Sequence, residues 1–321
     1  SSSVANSINS GVIEIFSTQR AFAALKSDGS VITWGGLNGQ VFGNNSSSVA
    51  NSINSGVIDI SSNQRAFAAL KSDGSVITWG DSFYGGNSSS VASSINSGVI
   101  KIFPGARGAF AALKSNGSLV TWGNSDYGGD SSSVSSDLSS GVTQVFSAHG
   151  SNGRASFAAL KGGSEVVSWG NYIAATSTVS ASISSGVKKV FSNQRAVFAL
   201  KTNGSVVTWG SSGMGGNSSS VASSLSSGVK DIIPAYYAAA ALKDDGSVVT
   251  WGGAGEGGSM SSPVNAASSL TSGVKKIVSN IAAFAALKSD GSVVTWGNSS
   301  LGGNSSSVSS DLSSGVIDVI A

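Results

Sequence analysis

Apolar residues in this chain come in short runs broken by glycine and serine, and the runs recur. Val12-Ile13-Glu14-Ile15-Phe16 is β-branched and apolar, which predicts a strand. Ser17 to Arg20 is polar and predicts a loop. Ala21 to Lys26 is a second apolar run, whose small residues allow close packing. Ser27-Asp28-Gly29-Ser30 is a turn, and Val31 to Trp34 is the third run. Asp-Gly between two apolar runs predicts a type I′ hairpin, in which both turn residues take positive φ. The same position reads Asp73-Gly74, Asn116-Gly117, Gly162-Gly163, Asn203-Gly204, Asp245-Gly246 and Asp290-Gly291. The runs are nearly continuous rather than alternating, which predicts small sheets covered on both faces.

The pattern closes on tryptophan each time. Trp34, Trp79, Trp122, Trp169, Trp209, Trp251 and Trp296 are all the tryptophans of the chain, spaced by 45, 43, 47, 40, 42 and 45 residues. A recurrence in this range marks a solenoid, propeller or array. After each Trp-Gly comes a glycine-rich loop, such as Asp81 to Gly86, and then a serine-rich segment, such as Ser88 to Gly98. There Val91 and Ile95 stand four apart, and Gly98 occupies a helix C-cap position, so the segment reads as an extended crossover with one short helical turn. Three antiparallel strands end opposite to where they began, and the crossover brings the chain back. The loops between first and second strands therefore share one face with the post-Trp loops, and the Asp-Gly turns lie on the other.

Seven such units predict an all-β chain: one domain over residues 1–321, a closed seven-bladed β-propeller with three antiparallel strands per blade and Ser-rich crossovers. A linear solenoid would need distinct capping units, and none is visible. The Ser-Gly-Val motif, however, occurs eight times, at Gly11, Gly56, Gly98, Gly141, Gly186, Gly228, Gly273 and Gly315. Residues 305–320 duplicate 1–16, one copy more than seven blades need. The fourth unit carries an expanded loop from Ser147 to Ser156 with the only histidine, His149, and the sixth has Pro234-Ala235-Tyr236-Tyr237 in place of the usual loop.

Composition removes chemistry rather than adding it. The chain has 321 residues, 11% charged, with a formal net charge of +2 and no cysteine. Disulfides, zinc–thiolate sites and thiol catalysis are excluded. The weak charge gives no reason to expect nucleic acid as a partner. No apolar run approaches the ~18 residues of a membrane span. One histidine and scattered carboxylates supply neither a catalytic triad nor a metal-ligand set, so no catalytic residue, metal or cofactor is expected. Gly253 to Gly258 matches G-x-G-x-x-G, but it occupies an ordinary post-Trp loop rather than a strand-to-helix turn.

Arginine is the informative residue type. All five, Arg20, Arg65, Arg107, Arg154 and Arg195, fall in the loop between first and second strands of units one to five. In unit six that place holds Tyr236 and Tyr237, and in unit seven Ile281 and Ala282. A closed ring would gather five guanidinium groups into an arc with the tyrosine pair beside it. The post-Trp loops add Phe83, Tyr84, Tyr127 and Tyr172 to the same face. Arginine with exposed aromatics is the composition of interface hot spots and of carboxylate or phosphate recognition. The bland alternative is a duplicated Gln-Arg pair left in solvent.

The repeat itself, V-x-x-x-L-x-S-G-V-x-x-I followed by A-L-K-x-D-G-x-V-x-x-W-G, resembles the regulator-of-chromosome-condensation repeat. Ser220-Val221 through Gly228-Val229, then Ala241-Leu242-Lys243, Asp245-Gly246 and Trp251-Gly252, carry it. The spacing of Ser-Gly-Val, Ala-Leu-Lys and Trp-Gly is similar to that of the β-lactamase inhibitor protein II family, a likeness that implies seven three-stranded blades and binding through the loops of one face. Gln-Arg stands where that family has aromatic-His, so inhibition of β-lactamase does not carry over.

The expectation from sequence is a non-catalytic structural or protein-interaction module, extracellular or at the cell surface, within a larger repetitive protein. The alternative is an inhibitor or receptor that meets an acidic or anionic partner through the Arg/Tyr loops. A monomer without membrane insertion is expected, with end-to-end self-association as the other outcome of the surplus copy.

Overall fold

The computed structural model describes residues 2–36, 41–105, 107–149, 155–171, 177–260 and 266–321. Among these residues twenty-one strands form seven three-stranded antiparallel sheets, each built from strands consecutive in the chain. The first sheet is β1 (Val12–Ser17), β2 (Ala21–Lys26) and β3 (Val31–Gly35). The second is β4 (Val57–Ser62), β5 (Ala66–Lys71) and β6 (Val76–Gly80), and the third is β7 (Val99–Pro104), β8 (Ala109–Lys114) and β9 (Leu119–Gly123). The fourth is β10 (Val142–His149), β11 (Ala155–Lys161) and β12 (Glu165–Gly170). The fifth is β13 (Val187–Ser192), β14 (Ala196–Lys201) and β15 (Val206–Gly210). The sixth is β16 (Val229–Pro234), β17 (Ala238–Lys243) and β18 (Val248–Gly252), and the seventh is β19 (Val274–Ser279), β20 (Ala283–Lys288) and β21 (Val293–Gly297). These are the number and make-up of sheets that a seven-bladed propeller requires. By contacts the chain divides into two compact units, residues 1–162 with 167–174, and residues 163–166 with 175–321.

Within each unit one sheet seals the next through the same clasp. Phe67 and Trp79 stack at 5.2 Å, and the Trp79 indole donates to the carbonyl of Gly43 in the preceding post-Trp loop at 3.0 Å. Trp122 donates to Gly85 and Trp169 to Gly128, each at 3.0 Å, and in the second unit Trp251 donates to Gly215 at 2.9 Å and Trp296 to Gly257 at 3.2 Å. The clasp needs glycine: Gly85 has φ +85°, and a Cβ there would stand 2.9 Å from the Phe110 ring. Burying an indole without this acceptor would strand its N–H.

The Asp-Gly turns correct the sequence reading. No residue other than glycine has positive φ among the described residues, so Asp28 is not in the conformation that type I′ demands. Instead Gly29 N–H donates to Lys26 at 2.9 Å, Gly29 has φ +77°, and Lys26 N–H donates to Ser30. This is a type I turn closed by a left-handed glycine, the three-residue hairpin with a bulge. Only at Gly162-Gly163 are both turn angles positive, +52° and +77°. Asp28 Oδ1 accepts from the Ser30 amide at 2.9 Å and the Ser30 hydroxyl at 2.6 Å. The hydroxyl first and the amide second hold its carboxyl below the usual carboxylate range, and Asp73, Asp245 and Asp290 are lowered in the same way.

A folded pKa below the unfolded one contributes stability above the unfolded value, lost as pH falls through the folded value. Thermal stability should therefore stay level down to pH about 4 and fall below it. Asn116 makes the same two bonds without titrating, at 3.0 and 2.7 Å. Asp73→Asn should thus keep the melting temperature at pH 7 and flatten the acid decline, as read by circular dichroism at pH 7 and pH 3. An unchanged acid slope would remove the turn aspartates from that decline.

First strands are the second departure. Each carries a bulge after its opening valine, as between Val12 and Glu14 and between Val57 and Asp59. The extra residue is turned outward, so Ile13, Ile58 and Ile100 are exposed rather than covered. Second strands meet the expectation: Ala66 through Leu70 are all buried. The crossovers do contain short helical turns, three-ten in Ser47–Ser52 and Ser89–Val91 and α-helical in Ser177–Ile183. Gly98 is not their cap; it has φ +73° and its carbonyl accepts from Ser115 at 2.8 Å, opening the next strand. In the fourth sheet β10 and β11 extend into both ends of the expected loop, pairing Ser147 with Phe157 and His149 with Ala155.

Candidate functional site

The loops between first and second strands are fixed from below by one polar side chain. Asn63 Oδ1 accepts from the amides of Arg65 and Ala66 at 3.1 and 3.0 Å, and its Nδ2 donates to Tyr84 in the post-Trp loop at 2.7 Å. Asn193 and Asn280 repeat this bridge to Met214 and Leu301. Thr18 replaces it in the first blade, its hydroxyl donating to Phe42 at 2.9 Å and accepting from Ala21 at 3.0 Å. The two loop sets therefore share a face, as the strand count required. The arginine carbonyl is pinned too, accepting from Asp81 at 3.1 Å at Arg65 and from Ser211 at 2.7 Å at Arg195. A Cβ at Gly80 would lie 2.5 Å from the Arg65 carbonyl oxygen, which explains the glycine after each tryptophan.

The arginines then part company. In the first unit, Arg20 is exposed and lies 5.3 Å from the Phe42 ring centroid. Arg65 is sandwiched, 5.0 Å from Phe42 and 5.0 Å from Tyr84, with Nη1 3.6 Å from Asp81 Oδ2. Its Nε is buried and without a hydrogen-bond partner. The guanidinium of Arg65 is thus engaged inside the protein, where cation–π contacts and a half-exposed ion pair fix it as a strut. Arg107 is half-buried, and among the described residues no ion pair or ring contact engages it. Aromatic rings continue the surface: Phe83 is 55% exposed and lies 5.7 Å from Tyr84 and 6.1 Å from Tyr127.

In the second unit Arg195 is half-buried, with an Nε that has no partner. Tyr236 and Tyr237 pack against each other at 4.3 Å, and the Tyr236 amide donates to Ile281 of the next loop at 3.0 Å. Arg154 and Tyr172 lie outside the described residues. Of the expected arc, the structure joins Arg20 and Arg65 across one shared ring, and Tyr236 to Tyr237. Phe42 and Asp81 were missed by the sequence reading. The signal for Phe42 was a phenylalanine directly before the clasp glycine Gly43, and for Asp81 a carboxylate directly after Trp79-Gly80.

The other repeated polar residues have internal tasks. Lys71, Lys114, Lys201 and Lys243 each donate through Nζ to a crossover carbonyl, those of Ser52, Ser94, Ser182 and Ser224. Thr78 holds its loop and crossover through Gly86 and Ser88 at 3.1 and 3.0 Å. Gly253 to Gly258 forms a single three-ten turn at Ala254–Glu256, a post-Trp loop like the others. No group of three His, Cys, Asp or Glu able to hold a metal occurs among the described residues.

Neither protein-family models nor curated proteins match the chain. Solved structures do. The CRINKLY WD40 ectodomain of the Arabidopsis thaliana receptor kinase ACR4 is similar at 15% identity and TM-score 0.36, over 88% of this chain and 93% of that one. Prp20p of Saccharomyces cerevisiae, the yeast RCC1, is similar at 15% identity and TM-score 0.33, over 89% and 72%. Human WBSCR16 is similar at 16% identity and TM-score 0.34, over 86% and 72%. The yeast protein is described with binding properties to Gsp1p and histones. No helix of the described residues is long and apolar enough to cross a membrane.

Proposed function

We propose that the chain is a non-catalytic protein-interaction module, its seven blades closed into a propeller, that meets an acidic partner through the loops between first and second strands. One observation carries this reading. The repeated aspartate, asparagine, threonine, lysine and tryptophan side chains are consumed in turns, clasps and crossover ties, whereas Arg20 and Phe83 are exposed and the half-buried Arg107 has no ion pair or ring contact among the described residues. Guanidinium groups beside aromatic rings suit carboxylates and the rim of a protein interface. Arg65 belongs to the support of this surface rather than to its contacts. Ring closure is supported by the seven consecutive three-stranded sheets and by the clasp repeated between neighbouring sheets inside each unit. Near-identical, serine-rich units suit a segment of a larger extracellular repetitive protein.

The test is titration of a fluorescent polyglutamate peptide in low and high salt. The expected result is salt-sensitive binding that Arg20→Ala with Arg107→Ala weakens about tenfold, equivalent to ~1.4 kcal/mol. Arg65→Lys should change it less. Binding unaltered by the double substitution would overturn the assignment of this face.

A further inference from the structure

Within the first unit the loop side chains of three blades form one continuous line. Arg20 lies 5.3 Å from the Phe42 ring, Arg65 lies 5.0 Å from the other side of that contact, and Arg65 is again 5.0 Å from Tyr84. Tyr84 touches Phe83 at 5.7 Å, and Phe83 meets the Tyr127 ring edge-on at 6.1 Å. Gly108 brings the loop of blade three against both: a Cβ there would stand 2.5 Å from the Tyr127 ring and 3.4 Å from the Phe83 carbonyl oxygen. Arg107 directly precedes that glycine. The aromatic rings are therefore flanked by guanidinium groups along the chain of contacts, Arg20 and Arg65 on one side and Arg107 on the other.

One member of this line does nothing for the fold. Tyr84 and Tyr127 pack against buried clusters of their blades, and Phe83 joins neither. Its position in the post-Trp turn holds Asp126, Gly213, Gly255 and Ser300 in later copies, and the same three-ten turn forms around each of them. An apolar residue is thus not needed there, yet Phe83 is 55% exposed. Its backbone is fixed, because its amide donates to Asp81 Oδ1 at 2.9 Å. A single exposed ring needs no explanation, but a ring set among other rings and guanidinium groups has the make-up of an interface hot spot. The carboxylates on this surface are both engaged: Asp81 by Arg65 at 3.6 Å, and Asp126 by the Asn171 amide group at 2.6 Å.

We infer that Phe83 is the apolar anchor of this surface, and that its ligand is an extended acidic segment of a partner protein with one aromatic side chain between its carboxylates. Resting on the acidic-partner reading above, this sets the partner's ring on Phe83 and its carboxylates toward Arg20 and Arg107. Burial of ring on ring removes apolar surface from water, and salt does not screen it as it screens the charged contacts.

Two fluorescent peptides test this: a short polyglutamate, and the same peptide with tryptophan at its centre. The tryptophan should tighten binding about tenfold, and the gain should persist in high salt. Phe83→Ser, which installs the residue that blade seven carries at Ser300, should abolish the gain and leave polyglutamate affinity and Tm unchanged. Phe83→Tyr should retain the gain. A gain equal in Phe83→Ser and the parent chain would overturn the inference. So would polyglutamate binding that depends on Arg20 and Arg107 but gains nothing from tryptophan, an outcome that leaves the acidic-partner reading standing. Failure of both peptides to bind would overturn both. A marked fall in Tm for Phe83→Ser would show that the ring serves the fold, and would also overturn the inference.

Discussion

Trp122→Ala should lower the free energy of unfolding by about 3–5 kcal/mol, the range for truncating a buried aromatic. The side chain is 2% exposed and stacks on Phe110 at 5.4 Å. It packs with Ala66, Ala68 and Leu70 of the preceding blade and with Ile95 of the crossover between them, so it belongs to the contact between blades rather than to one sheet. The substitution empties that contact and also leaves the Gly85 carbonyl without its donor. Trp122→Phe separates the two effects. It keeps most of the packing and should cost about 1–3 kcal/mol, from the unpaired carbonyl and a smaller ring. Urea unfolding measures both, and a loss below 1 kcal/mol for Trp122→Ala would mean the tryptophan does not hold blades together.

Gly74→Ala should cost about 2–5 kcal/mol without removing any apolar surface. Gly74 has φ +78°, where a side chain costs ~1–2 kcal/mol. Its Cβ would also stand 2.6 Å from the amide nitrogen of Gly98, which is backbone and cannot swing aside. The opening Gly98 of the next first strand is pressed against the turn because Val99 donates to Gly74 at 3.0 Å. Moving one loosens the other, which adds an overpacking penalty of ~1–3 kcal/mol. The contrast is Gly163→Ala: it too has positive φ, but nothing lies within 4 Å of the added methyl, so only the backbone penalty applies. Equal losses at the two sites would remove the backbone clash as a cause.

The recurring hairpin, the third-strand tryptophan and the short helical turn in the crossover were legible because each is a local signal. The turn type was not. Asp-Gly reads as a two-residue loop, but Lys26 pairs with Ser30, which leaves three residues to turn and lets Asp28 keep negative φ. Nor was the bulge in each first strand legible, since Val12-Ile13 is apolar at both positions and no alternation reveals that Ile13 faces outward. At the candidate site, sequence placed the arginines in one loop class but gave them one role. Their difference comes from neighbours far along the chain: Phe42 lies beneath both Arg20 and Arg65, while Tyr84 and Asp81 take up only Arg65. A period of repeats cannot carry that information, because it resides in the few positions where the repeats differ.

Small-angle scattering with in-line mass determination tests closure of the seven blades most directly. The closed ring predicts a single species of 31.6 kDa with a radius of gyration of about 20 Å, as for any compact chain of this length. A monomer of markedly larger radius, or a ladder of multiples of that mass, would contradict it.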